Sequence, residues 1–222
     1  MLEHETEARR QGFDAIAGVD EAGRGPLAGP VVAAAVILPR GLEIPRLTDS
    51  KKLPSRLRAE LYGVIIEKAV SVSIHAADAE VIDSINILQA TRLAMREAVS
   101  GLESAPDCVL IDGAQGIDWP GRQKTIVKGD SLSLSIAAAS VVAKVTRDRL
   151  MEEYGRVYPE YGFERHKGYG SADHLKAIRE HGPCPIHRRT FKGVREFLPP
   201  EEAIRAGLRQ MTIPNLPRGR GA

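Results

Sequence analysis

Long apolar runs, aromatic residues and cysteines are all scarce in this sequence of 222 residues. The longest apolar runs, at 31–38 and 136–143, are about eight residues long, whereas a helix that crosses a bilayer needs roughly 20. Residues 1–17 are rich in Glu and Arg and lack the apolar stretch of a signal peptide. These absences exclude a membrane protein and predict a soluble chain that stays where it is made, in the cytoplasm.

Only two cysteines are present, Cys108 and Cys184, and they stand far apart without a CxxC motif. Neither a disulfide framework nor a cysteine zinc site is indicated, so both thiols are expected to be buried. The sequence also has no GxxxxGK(S/T) motif, which excludes a P-loop. The glycines of 23–29 do not fit a dinucleotide-binding loop, because the third comes one residue late and a strand pattern follows instead of a helix.

Basic residues are distributed unevenly along the chain, although the formal net charge is only +2. Residues 1–143 hold 15 basic and 19 acidic side chains, whereas 144–222 hold 16 basic and 10 acidic ones. A polyanion such as nucleic acid is therefore expected to bind the second part. Four of the six histidines lie there too, in a spacing that matches no compact zinc motif, and we expect solvated or phosphate-contacting roles for them. They are His166, His174, His181 and His187.

The order of apolar runs predicts an α/β fold. Strands are expected at 15–20, 31–38, 70–74, 108–112 and 125–127, and helices at 54–68, 84–101, 131–154 and 172–180. In the third strand, Val70, Val72 and Ile74 are expected to form one buried face. Strands that come first and then alternate with helices indicate a mixed sheet covered by helices. We expect residues 1–155 to form this core and 156–222 a basic helical C-terminal part, with a loose tail from about 212.

Acidic residues stand directly after three of the predicted strands. Asp20 and Glu21 come at the end of the first, Asp112 ends the fourth, and Asp130 lies just past the fifth. If parallel strands end at one edge of the sheet, these carboxylates converge and repel one another unless a divalent cation neutralises them. Carboxylate oxygens suit Mg²⁺ or Mn²⁺, so the sequence predicts a site for one or two such ions.

Each of these acidic positions also has a simpler interpretation. Asp130 could be the N-cap of the helix that follows it, a role that is compatible with metal binding. Asp112, which a glycine follows, could belong to an ordinary turn. Asp20 and Glu21 are consecutive and point to opposite faces of a regular strand. Both reach one site only if the backbone leaves strand geometry there. Gly23 would lower the conformational free energy that such a departure costs.

The segment Gly23-Arg24-Gly25 offers a different kind of chemistry next to the acidic pair. Its glycines leave backbone N–H groups unobstructed by Cβ atoms, and Arg24 adds a guanidinium. A phosphodiester or a sugar hydroxyl could approach such a segment closely.

Beyond these local patterns, several motifs resemble those of the ribonuclease HII family, the type 2 ribonucleases H. They occur in the family's order across about residues 14–195, and together they are highly specific. The motifs are GVDEAGRGP at 18–26, DSKKL at 49–53, NILQAT at 86–91, IDG at 111–113, KGDS at 128–131, RD at 147–148, HKGYG at 166–170 and IHRR at 186–189.

The resemblance implies a ribonuclease H-like mixed five-stranded sheet flanked by helices, with a small helical C-terminal part that completes the substrate cleft. The implied activity is that of a metal-dependent endoribonuclease that cuts the RNA strand of RNA–DNA hybrids. It extends to cleavage 5′ of ribonucleotides embedded in duplex DNA, leaving 3′-hydroxyl and 5′-phosphate ends. Two alternatives stay open: a DNA nuclease or strand-transfer enzyme on the same fold, and a non-catalytic module that binds hybrids.

The resemblance also implies roles for individual residues. The carboxylates that would bind Mn²⁺ or Mg²⁺ and act in catalysis are Asp20, Glu21, Asp112 and Asp130. The implied substrate contacts are Gly23, Arg24 and Gly25 for the ribose 2′-hydroxyl, Tyr169 for the sugar at the RNA-to-DNA junction, and Lys51 or Lys52 for phosphate. Without the resemblance, Tyr169 would be interpreted as a tyrosine that closes a basic loop.

The sequence departs from the family pattern at two places, Ser171, where the family often has Thr, and 113–115 after the third carboxylate. Neither departure removes a catalytic side chain. The sister family, ribonuclease HIII, usually carries an extra N-terminal domain and a Glu at the fourth acidic position. Here about 13 residues precede the first strand and position 130 is Asp, which favours HII. We expect a monomer, because no long apolar surface stripe is left over, and the tail at 212–222 is where a recruitment partner would bind.

Overall fold

The computed structural model describes residues 1–205, apart from the side chain of Lys52, and its centre is a five-stranded sheet. The strands are β1 (Ile16–Ala22), β2 (Val31–Ile37), β3 (Ser71–Ala77), β4 (Cys108–Asp112) and β5 (Arg122–Ile126). Their order is β3-β2-β1-β4-β5. β2 pairs antiparallel with β1 and β3, whereas β1, β4 and β5 run parallel. This mixed sheet confirms the predicted α/β class.

Helices cover both faces of the sheet. They are α1 (Glu3–Arg10), α2 (Ser55–Lys68), α3 (Ala79–Ser100), α4 (Leu134–Val157), α5 (Phe163–His166) and α6 (Ala172–His181). α3 packs on one face, whereas α4 packs on the other with α2 behind it. The strand β2, which lies between β3 and β1, is therefore buried along its whole length. α4 approaches β1 so closely that a Cβ atom on Gly18 would lie 2.1 Å from the backbone carbon of Ser135.

The predicted buried face of the third strand is wrong. Val70 precedes β3 and is 54% exposed, and Ile74 is 37% exposed. β3 is an edge strand of the sheet, and its buried ends, Ser71 and Ala77, lie on the face that α3 covers. Polar and small residues therefore point inward here, which the pattern of β-branched residues could not show.

The first half of α3 was not expected from the sequence. The helix begins at Ala79, where the side chain of Asp78 accepts a hydrogen bond from the N–H of Val81. It is interrupted at Asn86, whose φ of 65° is left-handed and whose Oδ1 accepts from the N–H of Leu88 at 3.0 Å. Asn86 thus ends one helix and caps the next, so the periodicity from 84 onward described only the second segment.

The C-terminal part is held by a small apolar cluster of its own. Met151 from α4, Phe163 from α5 and Ile178 from α6 pack against Ala28, and all four are fully buried. The predicted division after residue 155 falls in the last turn of α4 and stays a prediction, and the predicted tail from 212 lies outside the described residues.

Two expectations about the described residues can be checked directly. Cys108 and Cys184 are free and buried, as predicted. Among residues 1–205, no helix combines the length and the apolar character that a membrane span requires.

Candidate functional site

Four carboxylates lie at the edge of the sheet where the parallel strands end. This acidic edge consists of Asp20 and Glu21 near the end of β1, Asp112 at the end of β4, and Asp130 in the 3₁₀ turn Gly129–Ser131 that follows β5. Oδ1 of Asp112 accepts a hydrogen bond of 2.6 Å from the N–H of Gly129, which ties the turn that carries Asp130 to β4. Parallel strand order thus brings carboxylates from three strands to one edge.

β1 stays regular through its acidic residues, contrary to the expected departure from strand geometry. Its pairing with β2 continues from Asp20 opposite Ala34 to the last residue of the strand. Asp20 is 2% exposed and lies beside Ser140 of α4. Glu21 instead lines a cavity on the α3 side and forms a 3.4 Å ion pair with Arg24. The two carboxylates therefore lie at the sheet edge on opposite faces of β1.

Asp130 is not the N-cap of α4. Oγ of Ser133 caps that helix by accepting a hydrogen bond of 3.2 Å from the N–H of Ile136. Asp130 lies within a 3₁₀ turn that ends at Ser131, before the helix begins, and its carboxylate belongs to the acidic edge instead. Gly113 after Asp112 has a φ of 99°, consistent with the turn that was considered there, yet the Asp112 side chain still reaches the Gly129 turn.

The acidic edge carries more negative charge than its surroundings balance. Burial raises the pKa of Asp20 well above its usual value, and the charges of Glu21 and Asp112 raise it further. Burial also raises the pKa of Asp130, with Asp112 adding to the effect. Oδ2 of Asp20 is buried and has no hydrogen-bond partner among residues 1–205. Ionising these carboxyl groups costs free energy because they are buried and repel one another. An added positive charge would remove that cost.

Divalent cations fit this arrangement by chemistry. Within the described residues, no three acidic, histidine or cysteine side chains are already gathered into a metal-binding cluster. The donors are nevertheless hard oxygens, one of them buried without a partner, and their mutual repulsion is what a bound Mg²⁺ or Mn²⁺ relieves.

Lys51 supplies a positive charge at the acidic edge, beside Asp130. Its Nζ lies 3.6 Å from Oδ2 of Asp130, and its side chain is otherwise largely exposed. Burial alone would lower the pKa of Lys51, but the surrounding carboxylates, Asp20 first among them, raise it above its usual value. Lys51 belongs to the 3₁₀ turn Ser50–Lys52, and a buried 2.8 Å hydrogen bond between Ser50 and Ser140 anchors this turn to α4. Lys52 follows in the same turn, and its side chain lies outside the described part of the chain.

Two buried arginines hold the glycine segment next to the acidic edge. Arg188 donates to the carbonyl oxygens of Arg24 at 2.9 Å, Gly23 at 2.5 Å and residue 29 at 3.0 Å. Arg147 donates to the carbonyls of residues 28 and 30 and to that of Lys167. Sequence reasoning placed both arginines in family motifs but gave them no role, because nothing in the sequence distinguishes a buried arginine from a surface one.

Gly23, Arg24, Gly25 and Tyr169 together form a glycine–tyrosine cradle. Gly23 has a φ of 99°, and a Cβ atom there would lie 2.0 Å from Nε of Arg147, so only glycine fits. A Cβ atom on Gly25 would lie 3.7 Å from Cε1 of Tyr169, whose side chain is 49% exposed. The cradle lines an open cavity of about 230 Å³ together with Glu21, Lys51 and Ser140. Glu21 therefore connects the acidic edge to the cavity that the cradle lines.

The histidine prediction is wrong for two of the four residues. His174 and His187 are almost fully buried and hydrogen-bonded to each other, so they neither face solvent nor contact phosphate. They lie in the apolar cluster beneath Tyr169, where they contact the ring of Phe163. Composition indicated a solvated face because it carries no information about which residues this cluster encloses.

The mixed five-stranded sheet flanked by helices is that of a ribonuclease H-like protein. The fold matches the crystal structure of ribonuclease H2 from Pyrococcus horikoshii OT3 with a TM-score of 0.68. The two proteins are 28% identical, and the match covers 86% of this chain and 98% of the other. Bst-RNase HIII, in a crystal structure with Mn²⁺, has the same fold at a TM-score of 0.62 and 18% identity, with 88% and 70% of the two chains covered.

Sequence relatives narrow this class to one family. The ribonuclease HII family matches residues 17–194. Ribonuclease HII of Geotalea uraniireducens is 59% identical over 202 residues, 91% of this chain and 94% of that protein. Ribonuclease HII of Geobacter metallireducens is 62% identical over 191 residues, 86% of this chain and 90% of that protein. The chain belongs to the ribonuclease HII family and is an endoribonuclease that acts on RNA–DNA hybrids. The resemblance drawn from the motifs is confirmed.

Proposed function

We propose that the chain cuts the phosphodiester on the 5′ side of a ribonucleotide embedded in duplex DNA, as well as RNA in longer hybrids. The products would carry 3′-hydroxyl and 5′-phosphate ends. One observation carries the proposal: Glu21 of the acidic edge lines the same cavity as the glycine–tyrosine cradle. A ribose held in the cradle would therefore place its neighbouring phosphate beside the carboxylates.

The acidic edge is proposed to hold one or two Mn²⁺ or Mg²⁺ ions, with Asp20, Glu21, Asp112 and Asp130 as ligands. Such ions, when bound, activate a water and neutralise the leaving 3′-oxygen. The fold neighbour Bst-RNase HIII is known in complex with Mn²⁺, which supports this class of cofactor. The chain's own contribution is to place the carboxylates, as it does for Asp112 through the hydrogen bond that Gly129 donates to it.

The cradle is proposed to recognise the ribose 2′-hydroxyl, the group that distinguishes RNA from DNA. The backbone N–H groups of Arg24 and Gly25 donate to no other group within residues 1–205, so they are available to a substrate. The carbonyl of Arg24 is taken by Arg188, which fixes the orientation of the peptide unit that bears the N–H of Gly25. Tyr169, beside Gly25, would pack its ring against the same sugar.

Phosphate contacts are proposed for Lys51 or Lys52 and for the basic C-terminal part, 156–222, which would complete the cleft. Binding should then weaken with salt, by about 0.9 log units per log unit of salt for each phosphate neutralised. Monomeric state and a cytoplasmic location remain predictions that suit an enzyme acting on duplex nucleic acid.

The experiment incubates labelled duplexes with one ribonucleotide, a long RNA stretch or no ribonucleotide, in Mg²⁺, Mn²⁺ or EDTA. We expect metal-dependent cleavage just 5′ of the single ribonucleotide and no cleavage of the all-DNA control. Cleavage of the long hybrid alone would overturn the role of the cradle. Equal cleavage of all-DNA would favour a DNA nuclease, and no cleavage with any metal would favour a hybrid-binding module.

A further inference from the structure

Three histidines of the C-terminal part are stacked and hydrogen-bonded beneath the turn that carries Tyr169. The rings of His166 and His174 are parallel within 17°, with centroids 4.5 Å apart. Nε2 of His174 lies 3.0 Å from Nε2 of His187. None of these side chains reaches the acidic edge, so the chemistry proposed above does not account for them.

The partners of His174 and His187 determine which ring nitrogens carry protons. Nδ1 of His174 lies 2.8 Å from the carbonyl oxygen of Tyr169, which can only accept, so Nδ1 is protonated. Nε2 of a neutral His174 is then the acceptor, and the proton between the two rings belongs to Nε2 of His187. Nδ1 of His187 must accept, and it does so from the N–H of Cys184 at 3.0 Å. One assignment of two neutral rings satisfies every contact.

His166 is fixed in the opposite tautomer by the same reasoning. Its Nε2 lies 2.8 Å from the carbonyl oxygen of Tyr161, so Nε2 is protonated. Its Nδ1 is then free to accept the N–H of Gly168 at 3.2 Å. His166 therefore binds the N–H of Gly168, the residue before Tyr169, and His174 binds the carbonyl of Tyr169 itself.

The turn that they hold is one that needs support. Lys167 is left-handed, with a φ of 51°, which is unfavourable for a residue with a side chain. The following residue, Gly168, gives its carbonyl to the N–H of Leu27, which joins the turn to the glycine segment. The position of Tyr169 against Gly25 thus depends on a strained turn whose polar groups are bound by imidazoles.

We propose that His166 and His174 are positioning residues that set Tyr169 against the sugar of the ribonucleotide, with His187 fixing the tautomer of His174. This inference rests on the role proposed above for Tyr169. The histidines touch neither substrate nor metal; they act through the backbone on both sides of the tyrosine.

Two substitutions of similar size distinguish the hydrogen bond of His174 to Tyr169 from its hydrogen bond to His187. In His174→Asn the amide takes the place of Nδ1 and can donate to Tyr169, whereas in His174→Gln it takes the place of Nε2 and can reach only His187. We expect His174→Gln to lose about tenfold in kcat/KM on a single-ribonucleotide duplex and His174→Asn to keep most of it. Equal losses in the two variants, at equal thermal stability, would overturn the proposal.

A double mutant tests whether the effect passes through Tyr169. With Tyr169→Ala in place, adding His174→Gln should cause no further loss, whereas a role elsewhere would multiply the two losses. Nitrogen-15 spectra of the histidine rings check the geometry without any activity. They should show neutral His174 protonated at Nδ1, and neutral His166 and His187 protonated at Nε2. Any other pattern refutes the positioning proposal, while full activity of Tyr169→Ala with the expected spectra refutes the role of Tyr169 instead.

Discussion

The acidic edge adjoins the glycine–tyrosine cradle through Glu21, which lines the same cavity, yet the polar groups of the two regions are satisfied to very different degrees. The carboxylates repel one another, and the buried Oδ2 of Asp20 has no partner within residues 1–205. The cradle is held by Arg147 and Arg188 through carbonyl oxygens and by neutral imidazoles under Tyr169. Under the proposed function, recognition would thus be prepared by the fold, whereas the chemistry would depend on a cation that the chain itself does not supply.

Asp20→Asn should give the largest effect, because it changes the acidic edge and leaves the cradle intact. Turnover should fall by about 10³-fold, because a carboxylate of the proposed metal site is lost while duplex binding is largely kept. The free energy of unfolding should rise by about 1 kcal/mol at pH 7, because a buried, repelled charge is removed. Single-turnover cleavage and urea denaturation measure the two effects. Asp118→Asn, at a side chain that is 91% exposed, is the control and should change neither quantity.

Arg188→Lys should damage the cradle by removing the planar group that binds three carbonyls. Because an ammonium cannot replace those bonds in a buried site, we expect the free energy of unfolding to fall by about 3 kcal/mol. Urea denaturation measures the loss. Arg189→Lys, at the neighbouring and 41% exposed position, is the matched control. If the two variants were equally stable, the cradle would not depend on its buried guanidinium.

Substitutions of Tyr169 test whether the cradle acts through the aromatic ring of this residue. Tyr169→Phe should retain much of the cleavage at a single ribonucleotide, whereas Tyr169→Ala should lose about tenfold or more, because packing on the sugar needs the ring rather than the hydroxyl. Metal affinity, measured by calorimetry, should be the same in both variants. Equal cleavage by Phe and Ala variants would remove the role assigned to the ring.

The two regions should respond to acid in opposite directions. The pKa of Asp20 is raised, so its stabilising contribution is present in acid and lost as the pH rises through the folded-state value. Burial lowers the pKa of His174 from 6.5 to about 4 and that of His187 to about 3. Their contribution is present above pH 6.5 and is lost as the pH falls toward those values.

Urea denaturation between pH 7 and pH 4.5 measures this contrast. Compared with the wild type, Asp20→Asn should lose about 1 kcal/mol more over that range, and His174→Asn about 1 kcal/mol less. Parallel profiles for all three proteins would show that the two regions do not differ in the way described.

The acidic edge could be located from the sequence because its signal is local. Asp20 and Asp112 come directly after apolar runs and Asp130 lies just past a predicted strand, and parallel strands bring such positions together. The choice between Asp130 and Ser133 as the cap of α4 was not predictable, because it depends on the single 3₁₀ turn, Gly129–Ser131, that contains Asp130.

The support of the cradle could not be predicted, because it depends on contacts between distant parts of the chain. Arg188 binds the carbonyl of Gly23, which is 165 residues away, and His174 is buried by residues from several elements. Basic residues and histidines in the C-terminal part indicated a nucleic-acid surface by composition. The structure shows that some of them bind the protein's own backbone instead.

The most direct test of the contrast is a calorimetric titration of Mn²⁺ into the wild-type protein and Asp112→Asn, without substrate. If the acidic edge needs a cation, the wild type binds Mn²⁺ and its thermal unfolding temperature rises with the ion, whereas Asp112→Asn loses both effects. Equal Mn²⁺ affinity in the two proteins, or no binding to the wild type, would contradict the account.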